Sequence, residues 1–446
     1  IKTDTGIKLT ELLSGIETLQ RAGAPETDIT SLGFDSRHAT AGQLFFAVKG
    51  SASDGHDYMA QATANGAAAV VCERLPEEPF PGVAYIVVAD SSAALGTIAS
   101  RFYGEPSHKL KLVGVTGTNG KTTTATLLYD LFRRLGYKAG LISTVVYRID
   151  NETLPSTHTT PDAIRLNAML AEMAERGCDY CFMEVSSHSI VQERIAGLTF
   201  AGGIFTNITH EHLDYHGTFA EYIRAKKRFF DHLPKGAFAL VNTDDRNGAV
   251  MVQNSAATTY TYALRSFSDF RCRILENTPE GMLLELDGQQ VWTRFLGRFN
   301  AYNLAAVYGA ARLLGADCDE TLQALSTLTP VNGRFDTLHS PDGITAIVDY
   351  AHTPDALRNV MDTVNELRSG AGRLIVVVGC GGDRDRTKRP EMAQIAVNVG
   401  MNLRVLPVIG VTLPFYSAGG SSVLMLYICV GLVLSVCSHN TKSLFG

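Results

Sequence analysis

The sequence predicts an α/β protein with an N-terminal α/β domain, a central doubly wound domain, a shorter C-terminal domain and a hydrophobic tail. Short helical and strand-like patterns alternate through residues 1–108. From residue 109 onward a strand, a loop and a helix repeat, which is typical of a mostly parallel sheet with helices on both faces. Across residues 113–135 an apolar strand, a glycine-spaced turn and a helical pattern follow one another.

Changes in pattern set the predicted domain limits. They place the N-terminal domain at 1–108, the central domain at 109–337, the C-terminal domain at 338–397 and the tail at 398–446. We expect core strands at 67–72 and 85–88, then at 112–115, 139–143, 180–185, 203–206 and 237–241. In the third domain we expect a strand at 344–348, a helix at 355–367 and a buried strand at 374–378. Two strands are too few for a complete doubly wound sheet.

Composition restricts the class of protein. A net charge of −6 argues against nucleic-acid binding, and no signal peptide opens the chain, which predicts a cytoplasmic location. The eight cysteines are scattered and do not form a disulfide framework. Cys178 and Cys181 have the spacing of a redox or zinc pair, but no second pair completes such a site. We therefore predict that both are buried small residues beside a strand.

The glycine-spaced turn is predicted to bind the phosphates of ATP. Its residues are Gly117, Thr118, Asn119, Gly120, Lys121, Thr122 and Thr123. Glycines let backbone N–H groups approach phosphate, the lysine neutralises charge, and the first threonine hydroxyl can hold Mg²⁺. The strict pattern expects a glycine where Val115 stands, so the motif is a variant of the P-loop. The alternative is a glycine-rich turn without a ligand.

Polar residues after the next strands are candidates for a metal site. Glu184 follows a predicted strand beside the P-loop strand, where a Mg²⁺-binding carboxylate belongs in P-loop enzymes. His212, in the cluster 211–216, is the second candidate ligand, and two Mg²⁺ ions would suit formation of an acyl phosphate. Lys226 lies in a basic helix, and its pattern alone indicates a solvated face.

Other polar residues leave two interpretations open. Asn300 and Asn303 share one face of a first helical turn, so they fit either adenine or ribose contacts or an N-cap. Arg334, and Lys388 or Arg389, could contact phosphate or carboxylate, and for Lys388 and Arg389 the alternative is ordinary solvation. Ser36 lies in a polar triplet before a predicted strand, which is either a solvated turn or the rim of a ligand site.

Together these residues resemble the Mur ligases, ATP-dependent amino-acid ligases of peptidoglycan precursor synthesis and cell-wall biogenesis. The resemblance covers about residues 30–395. It rests on Asp-Ser-Arg at 35–37, Gly-Thr-Asn-Gly-Lys-Thr at 117–122, Thr-Thr at 159–160, Met-Glu-Val-Ser-Ser-His at 183–188, His-Leu-Asp-Tyr-His at 212–216, Gly-Arg-Phe-Asn at 297–300, Asp-Tyr-Ala-His-Thr-Pro at 349–354 and Gly-Asp-Arg-Asp at 382–385. Folylpolyglutamate synthases share the ligase core but lack the domain that carries Asp-Ser-Arg.

The resemblance is strongest to the branch of the family that adds the third amino acid, meso-diaminopimelate or lysine, to UDP-N-acetylmuramoyl-L-alanyl-D-glutamate. It implies that ATP phosphorylates the glutamate side-chain carboxylate and that the amino acid's amine then attacks the acyl phosphate. It also implies site roles. The metal ligands would be Thr122, Glu184, His212 and Lys226, the last as a carbamate made with CO₂. ATP would also contact Asn300, Asn303, Arg334, Asp349 and His352. The UDP-sugar peptide would contact Ser36, Thr159, Thr160, Ser186, Gln192 and Arg194, and Arg389 would lie near the incoming amino acid. Glu211 stands where the family usually has aspartate.

The last part of the chain departs from this pattern. Residues 398–444 resemble the end of the SEDS proteins, which are membrane glycosyltransferases, and 421–437 carry no charge. We therefore expect a truncated, Rossmann-like C-terminal domain, impaired ligation, and membrane association through 403–437, with a transmembrane helix at 421–437. The alternative hypothesis is a non-catalytic, membrane-tethered chimera.

Overall fold

The computed structural model describes residues 6–23, 26–50, 53–341, 344–368, 374–379 and 388–402. By its internal contacts the chain divides into two units. The first comprises Ile1–Tyr350 with Asp362–Ser369, and the second Ala351–Met361 with Gly370–Gly446.

The first unit begins with a small α/β region. Its elements are β1 (Ile7–Lys8), α1 (Leu9–Leu12), β2 (Gln20–Gly23), β3 (Asp28–Ile29), β4 (Ser31–Gly33), β5 (Gln43–Phe46), α2 (Met59–Ala64), β6 (Ala69–Cys72), β7 (Ala84–Val87) and α3 (Ser91–Phe102), with 3₁₀ turns at Ser36–His38, Gly55–Tyr58 and Pro106–His108. Within this part of the described chain, five strands form a sheet in the order β2-β7-β6-β5-β4, which is parallel except at β2. The core strands expected at 67–72 and 85–88 are confirmed as β6 and β7.

The rest of the first unit is built on a large mixed sheet. Its elements are β8 (Lys111–Thr116), α4 (Lys121–Arg134), β9 (Ala139–Ile142), β10 (Val146–Ile149), β11 (Glu152–Pro155), α5 (Ala163–Glu175), β12 (Tyr180–Glu184), α6 (Ser187–Val191), β13 (Gly202–Phe205), α7 (Leu213–His216), α8 (Phe219–Asp231), β14 (Phe238–Asn242), α9 (Gly248–Met251), β15 (Thr258–Ala263), β16 (Phe270–Thr278), β17 (Gly281–Leu286), β18 (Gln289–Thr293), α10 (Arg298–Leu313), α11 (Cys318–Thr327), β19 (Asp336–His339) and β20 (Thr345–Val348). The strands β19 and β20 pair separately as an antiparallel hairpin.

Eleven of these described strands form one sheet in the order β11-β10-β9-β12-β8-β13-β14-β15-β16-β17-β18. The pairs from β9 to β16 are parallel, and the pairs at both edges are antiparallel. The five strands expected between 112 and 241 are confirmed as β8, β9, β12, β13 and β14. The strands β10–β11 and β15–β18 were not predicted. Exposed polar residues in β11, β16 and β18 hide these three strands from a search for buried apolar runs.

Apolar side chains fill both faces of this sheet. One core lies between the sheet and α4, α10 and α11, and the other lies between the sheet and α5 and α8. Gly114 is needed in β8, since a Cβ there would come within 2.6 Å of Phe229 Cζ. Cys178 and Cys181 are both buried in the second core, as predicted.

Asp244 fastens the loop that follows β15. Its carboxylate accepts backbone N–H groups from Leu264, Arg265 and Ser266, at 2.9, 2.8 and 2.9 Å, and the hydroxyl of Tyr302 on α10 at 2.7 Å. Burial opposes ionisation of this carboxyl, but the hydrogen bonds outweigh it and hold the Asp244 pKa well below its usual range. The charge of Asp244 therefore stabilises the folded chain.

We expect Asp244→Asn to lower the free energy of unfolding by about 2 kcal/mol at pH 7, because the amide nitrogen cannot accept the donors that face it. A depressed pKa contributes stability above the unfolded-state value of about 4, and this contribution is lost as the pH falls towards the folded-state pKa. The difference between wild type and variant in urea unfolding should therefore shrink below pH 4. Asp231→Asn, at a partly exposed ion pair with Lys227, is the control. An equal effect of both variants would contradict this assignment.

The second unit contains the start of α12 (Pro354–Leu367) and the helix α13 (Lys388–Asn402). Leu357, Met361, Met392 and Ile395 form its buried cluster. The helix expected at 355–367 and the strand at 344–348 are confirmed as α12 and β20. The buried strand expected at 374–378 is wrong.

That segment has no regular structure, and its Val377 side chain is 77% exposed. A β-branched sequence becomes a strand only when a neighbour completes its hydrogen-bond ladder, and the described residues provide no partner for 374–378. The helix α13 continues past residue 398, where the tail was expected to begin. Residues 403–446, with the predicted transmembrane helix 421–437, lie outside the described residues. Within those described, no helix is long and apolar enough to cross a membrane.

Candidate active site

The predicted phosphate loop has the strand–turn–helix geometry of a P-loop. It follows β8, and α4 begins at Lys121. Gly117 and Gly120 have φ of 150° and 86°, which favours glycine. A Cβ at Gly117 would come within 2.0 Å of Thr206 Oγ1, and one at Gly120 within 2.5 Å of Asn303 Oδ1. Both glycines are therefore required by conformation and by space.

Two lysines converge on this loop. Lys121 Nζ donates hydrogen bonds to the carbonyl oxygens of Gly117 and Thr118, at 2.9 and 2.7 Å. Lys226 Nζ, from α8, donates to the same Gly117 oxygen at 2.8 Å. The Lys226 residue is only 1% exposed, so the solvated-face interpretation of this lysine is wrong.

Burial lowers the pKa of both lysines. For Lys226, the charge of Lys121 lowers the pKa further, and the nearby carboxylate of Glu211 opposes the shift. For Lys121, the carboxylates of Glu211 and Glu184 oppose it. The Lys226 amine is therefore easier to deprotonate than an ordinary lysine.

Glu184 presents an unpaired carboxylate oxygen beside these lysines. It ends β12 and is 1% exposed. One oxygen, Oε1, accepts the backbone N–H of Thr144 at 2.6 Å. The other, Oε2, is buried and has no hydrogen-bond partner among the described residues. Because an unpaired buried carboxylate oxygen is costly, this geometry fits a cation ligand.

His212 stands in a strained position at the start of α7. Its φ of 55° is left-handed, and its ring packs edge-on against His188 with centroids 4.8 Å apart. Burial lowers the His212 pKa to about 4, so the imidazole is neutral near pH 7 and able to bind a metal. Glu211 is buried, and its Oε1 lies 3.7 Å from His212 Nε2. Across the described ranges, no three His, Cys, Asp or Glu side chains form a complete metal-binding group.

Asn300 and Asn303 are buried on α10 next to the P-loop. Asn300 Nδ2 donates to Leu296 O at 2.9 Å, and Asn303 Nδ2 donates to Asn300 Oδ1 at 3.2 Å. Neither caps the helix, whose N-cap is Gly297, so the N-cap alternative is wrong. The contact between Asn303 and Gly120 places this helix turn against the phosphate loop.

Arg334 also reaches the P-loop. Its Nη2 donates to Thr122 Oγ1 at 2.9 Å, and its guanidinium lies over the Tyr350 ring, 4.9 Å from the centroid. The neighbouring Phe335 donates its backbone N–H to Asp349 Oδ2 at 2.8 Å, so Asp349 holds the turn that aims Arg334. Two other predicted residues, His352 and Arg389, belong to the second unit, where Arg389 lies at the start of α13.

The predicted substrate residues of the central region form one network after β12. Thr160 Oγ1 donates to Glu184 O at 2.8 Å, and Arg194 Nη1 donates to Thr160 O at 2.7 Å. Arg194 Nε donates to Gln192 Oε1 at 2.9 Å, and the Ser186 hydroxyl caps α6.

The two remaining predicted substrate residues, Thr159 and Ser36, make hydrogen bonds in different parts of the first unit. Thr159 Oγ1 accepts from Thr144 Oγ1 at 3.0 Å, which ties it to the residue that orients Glu184. Ser36 is buried in the N-terminal region and donates to Gln61 Oε1 at 2.7 Å.

Two residues of this site were not predicted. Thr144 orients Glu184, and the Asn207 side chain binds the P-loop through its Oδ1, which accepts Asn119 N–H at 2.9 Å. Each is a polar residue that comes just after a buried strand. That position was the available signal, but it gives no partner, because the partners lie on other strands.

This geometry is that of a P-loop protein with a buried acidic site beside its phosphate loop. Three family models match the chain: "Mur ligase family, catalytic domain" at residues 28–103, "Mur ligase middle domain" at 115–311, and "Mur ligase, glutamate ligase domain" at 333–417. Alignments with similar proteins cover most of this chain. A relative from Phocaeicola vulgatus, named UDP-N-acetylmuramoyl-L-alanyl-D-glutamate–2,6-diaminopimelate ligase, is 57% identical over 391 residues, which cover 88% of this chain and 81% of the relative.

A relative of the same name from Geobacillus thermodenitrificans is 42% identical over 405 residues, again covering 88% and 81%. A solved structure of a protein of that name superimposes with a TM-score of 0.72 at 30% identity and covers 88% of this chain and 80% of its own. The chain belongs to the Mur ligase family, whose members are ADP-forming acid–amino-acid ligases.

The comparisons do not support the expectations about the C-terminus. The third family match runs to residue 417, past the truncation expected at 397. The truncated domain, the SEDS-type tail, the membrane association and the membrane-tethered chimera therefore find no support.

Proposed function

We propose that this protein is the ATP-dependent ligase that joins meso-diaminopimelate to UDP-N-acetylmuramoyl-L-alanyl-D-glutamate. The observation that carries the proposal is the buried, unpaired Glu184 oxygen beside a P-loop to which two lysines donate. The similarity to relatives that carry this activity in their names supports the choice of substrates.

The residues at the loop fit Mg²⁺. Carboxylate and hydroxyl oxygens are the ligands this ion prefers, and Glu184 and Thr122 supply them, with the neutral imidazole of His212 as a third. Two ions would be held by these side chains together with Lys226 as a carbamate. Bound Mg²⁺ would neutralise charge on the phosphates and on the acceptor carboxylate.

Lys226 is proposed to carry a carbamate. A neutral lysine amine adds to CO₂ to give a carbamate and a proton, and the lowered pKa of Lys226 favours the neutral amine. The product is an anion on a buried side chain next to Gly117 O. It would supply the further anionic ligand that the described His and carboxylate side chains leave missing.

The chain's own residues then have defined tasks. The N-terminus of α4 and Lys121 neutralise the phosphates of ATP, and Arg334, which already reaches Thr122, would approach the γ-phosphate. The network that includes Thr160 and Arg194 holds the UDP-sugar peptide so that its glutamate side-chain carboxylate faces the γ-phosphorus.

The reaction follows in two steps. A carboxylate oxygen attacks the γ-phosphorus and releases ADP, which gives an acyl phosphate. The amine of the amino acid attacks the acyl carbon through a tetrahedral intermediate, and phosphate leaves. Because the enzyme supplies position and charge neutralisation, its groups must be held rigidly.

The proposed function is tested by incubating the purified chain with ATP, Mg²⁺ and UDP-N-acetylmuramoyl-L-alanyl-D-glutamate, together with meso-diaminopimelate or L-lysine. We expect mass spectrometry to detect the diaminopimelate tripeptide with one ADP released per product. Product with lysine alone would change the assigned amino acid. ADP release without any peptide product would contradict the ligase assignment.

A further inference from the structure

The Asn207 side chain binds both the backbone N–H and the backbone carbonyl oxygen of one residue of the phosphate loop, Asn119. Its Oδ1 accepts the Asn119 N–H at 2.9 Å, and its Nδ2 donates to the Asn119 carbonyl oxygen at 3.1 Å. The Asn207 backbone oxygen also accepts Thr118 N–H at 2.8 Å. Three hydrogen bonds therefore tie one asparagine to two adjacent residues of the loop.

Asn207 is itself held from the next strand. Asn207 follows β13, and the neighbouring strand β14 ends in Asn242. The Asn242 side chain donates to Thr206 O at 2.9 Å, and Asp245 Oδ2 accepts Ile208 N–H at 2.8 Å. The residues on both sides of Asn207 are therefore held in place by hydrogen bonds. Asn207 in turn holds the loop at a defined position relative to the sheet edge.

These bonds decide which loop amides can face a phosphate. The N–H groups of Thr118 and Asn119 point to Asn207, and Thr206 Oγ1 donates to Asn119 O at 2.7 Å. The loop amides left to bind phosphate are those from Gly120, the N-cap of α4, onward. Thr118 and Asn119, predicted as phosphate-binding residues, use these backbone groups to fix the loop.

We propose that Asn207 is a positioning residue for nucleotide binding, with Asp245 as its anchor; this inference rests on the proposed use of ATP. Asn207 fixes the backbone N–H and carbonyl groups of Asn119, and the Asn119 backbone in turn sets the direction of the amides that begin α4. A displacement of about 1 Å at such a site can cost about 10²-fold in rate. The pairing of β8 with β13 does not use this side chain, because the two strands pair through their own backbones.

The test compares Asn207→Ala with Asn65→Ala. Asn65 makes the same kind of bond, from Nδ2 to the Ser36 carbonyl oxygen at 2.9 Å, far along the chain from the loop. By titration calorimetry with MgADP we expect Kd to rise about tenfold for Asn207→Ala and to stay within about twofold for Asn65→Ala. Hydrogen exchange of residues 117–120 should accelerate only in Asn207→Ala.

If Asn207→Ala does not fold, Asp245→Asn serves as the second variant, with an expected rise in Kd of about threefold and the same faster exchange. An unchanged MgADP Kd with unchanged exchange in the folded variant would overturn the proposal. A wild-type chain that binds MgADP but forms no tripeptide would overturn the proposed function alone, and the Kd comparison would still test Asn207. A wild-type chain that does not bind MgADP would overturn both.

Discussion

Replacing Lys226 with alanine should lower kcat for ligation by about 10³-fold, because the variant cannot form the carbamate that we assign to this side chain. Lys226 is almost fully buried, and its Nζ donates to Gly117 O. Shortening the Lys226 side chain to alanine also leaves space beside the phosphate loop. Acetate or formate should therefore restore part of the activity by supplying the missing carboxylate.

The control for this experiment is Lys227→Ala, one residue along the same helix. Lys227 forms a partly exposed ion pair with Asp231, and loss of such a pair costs little compared with loss of a metal ligand. Its kcat should stay near wild type and should not respond to acetate. A folded Lys226→Ala variant that is inactive and not rescued by any short carboxylate would contradict the carbamate and favour a role for the amine itself.

Replacing Glu184 with glutamine should lower kcat by a similar factor, about 10³-fold, while leaving the fold intact. Glutamine keeps Oε1, which accepts Thr144 N–H, and replaces the unpaired Oε2 with an amide group that cannot bind Mg²⁺. The variant also removes a buried charge. Its Tm without Mg²⁺ should therefore equal or exceed that of wild type.

Thermal denaturation with and without MgCl₂ gives a readout that is independent of activity. We expect Mg²⁺ with ADP to raise the wild-type Tm more than the Tm of Glu184→Gln, because a ligand stabilises only the state that binds it. Glu221→Gln, at an exposed pair with Arg224, is the control and should respond as wild type does. An identical Mg²⁺ response in Glu184→Gln would remove Glu184 from the metal site.

Local patterns predicted much of the fold and the chemistry of the loop. The strands β8, β9, β12, β13 and β14 are short apolar runs between turn residues, and the turn after β8 carries its glycines and Lys121 within seven residues. Each signal is complete within a few neighbouring residues, so it can be detected without knowing the packing. Local patterns failed at 374–378, where an apolar β-branched run forms no strand because strand formation also requires a partner.

The roles of several site residues could not be predicted from local sequence pattern. Lys226 sits in a basic stretch and has the spacing of a solvated face, yet it lies 109 residues from the Gly117 carbonyl that it contacts. The roles of Asn207 and Thr144 depend in the same way on neighbours from other strands. No local rule can assign such roles, because the contacts that define them are not near in the sequence.

The sequence by itself determined the α/β class, the main strands and the phosphate loop, since each follows from hydrophobic period, turn chemistry and a short motif. Only the tertiary structure decided that Lys226 is buried, that Glu184 Oε2 has no hydrogen-bond partner within the described part of the chain, and that Asn207 holds the loop. The reason is physical. Burial and hydrogen-bond pairing are properties of the packed sheet edge, where the carboxyl ends of β8, β12 and β13 bring together residues from distant parts of the chain.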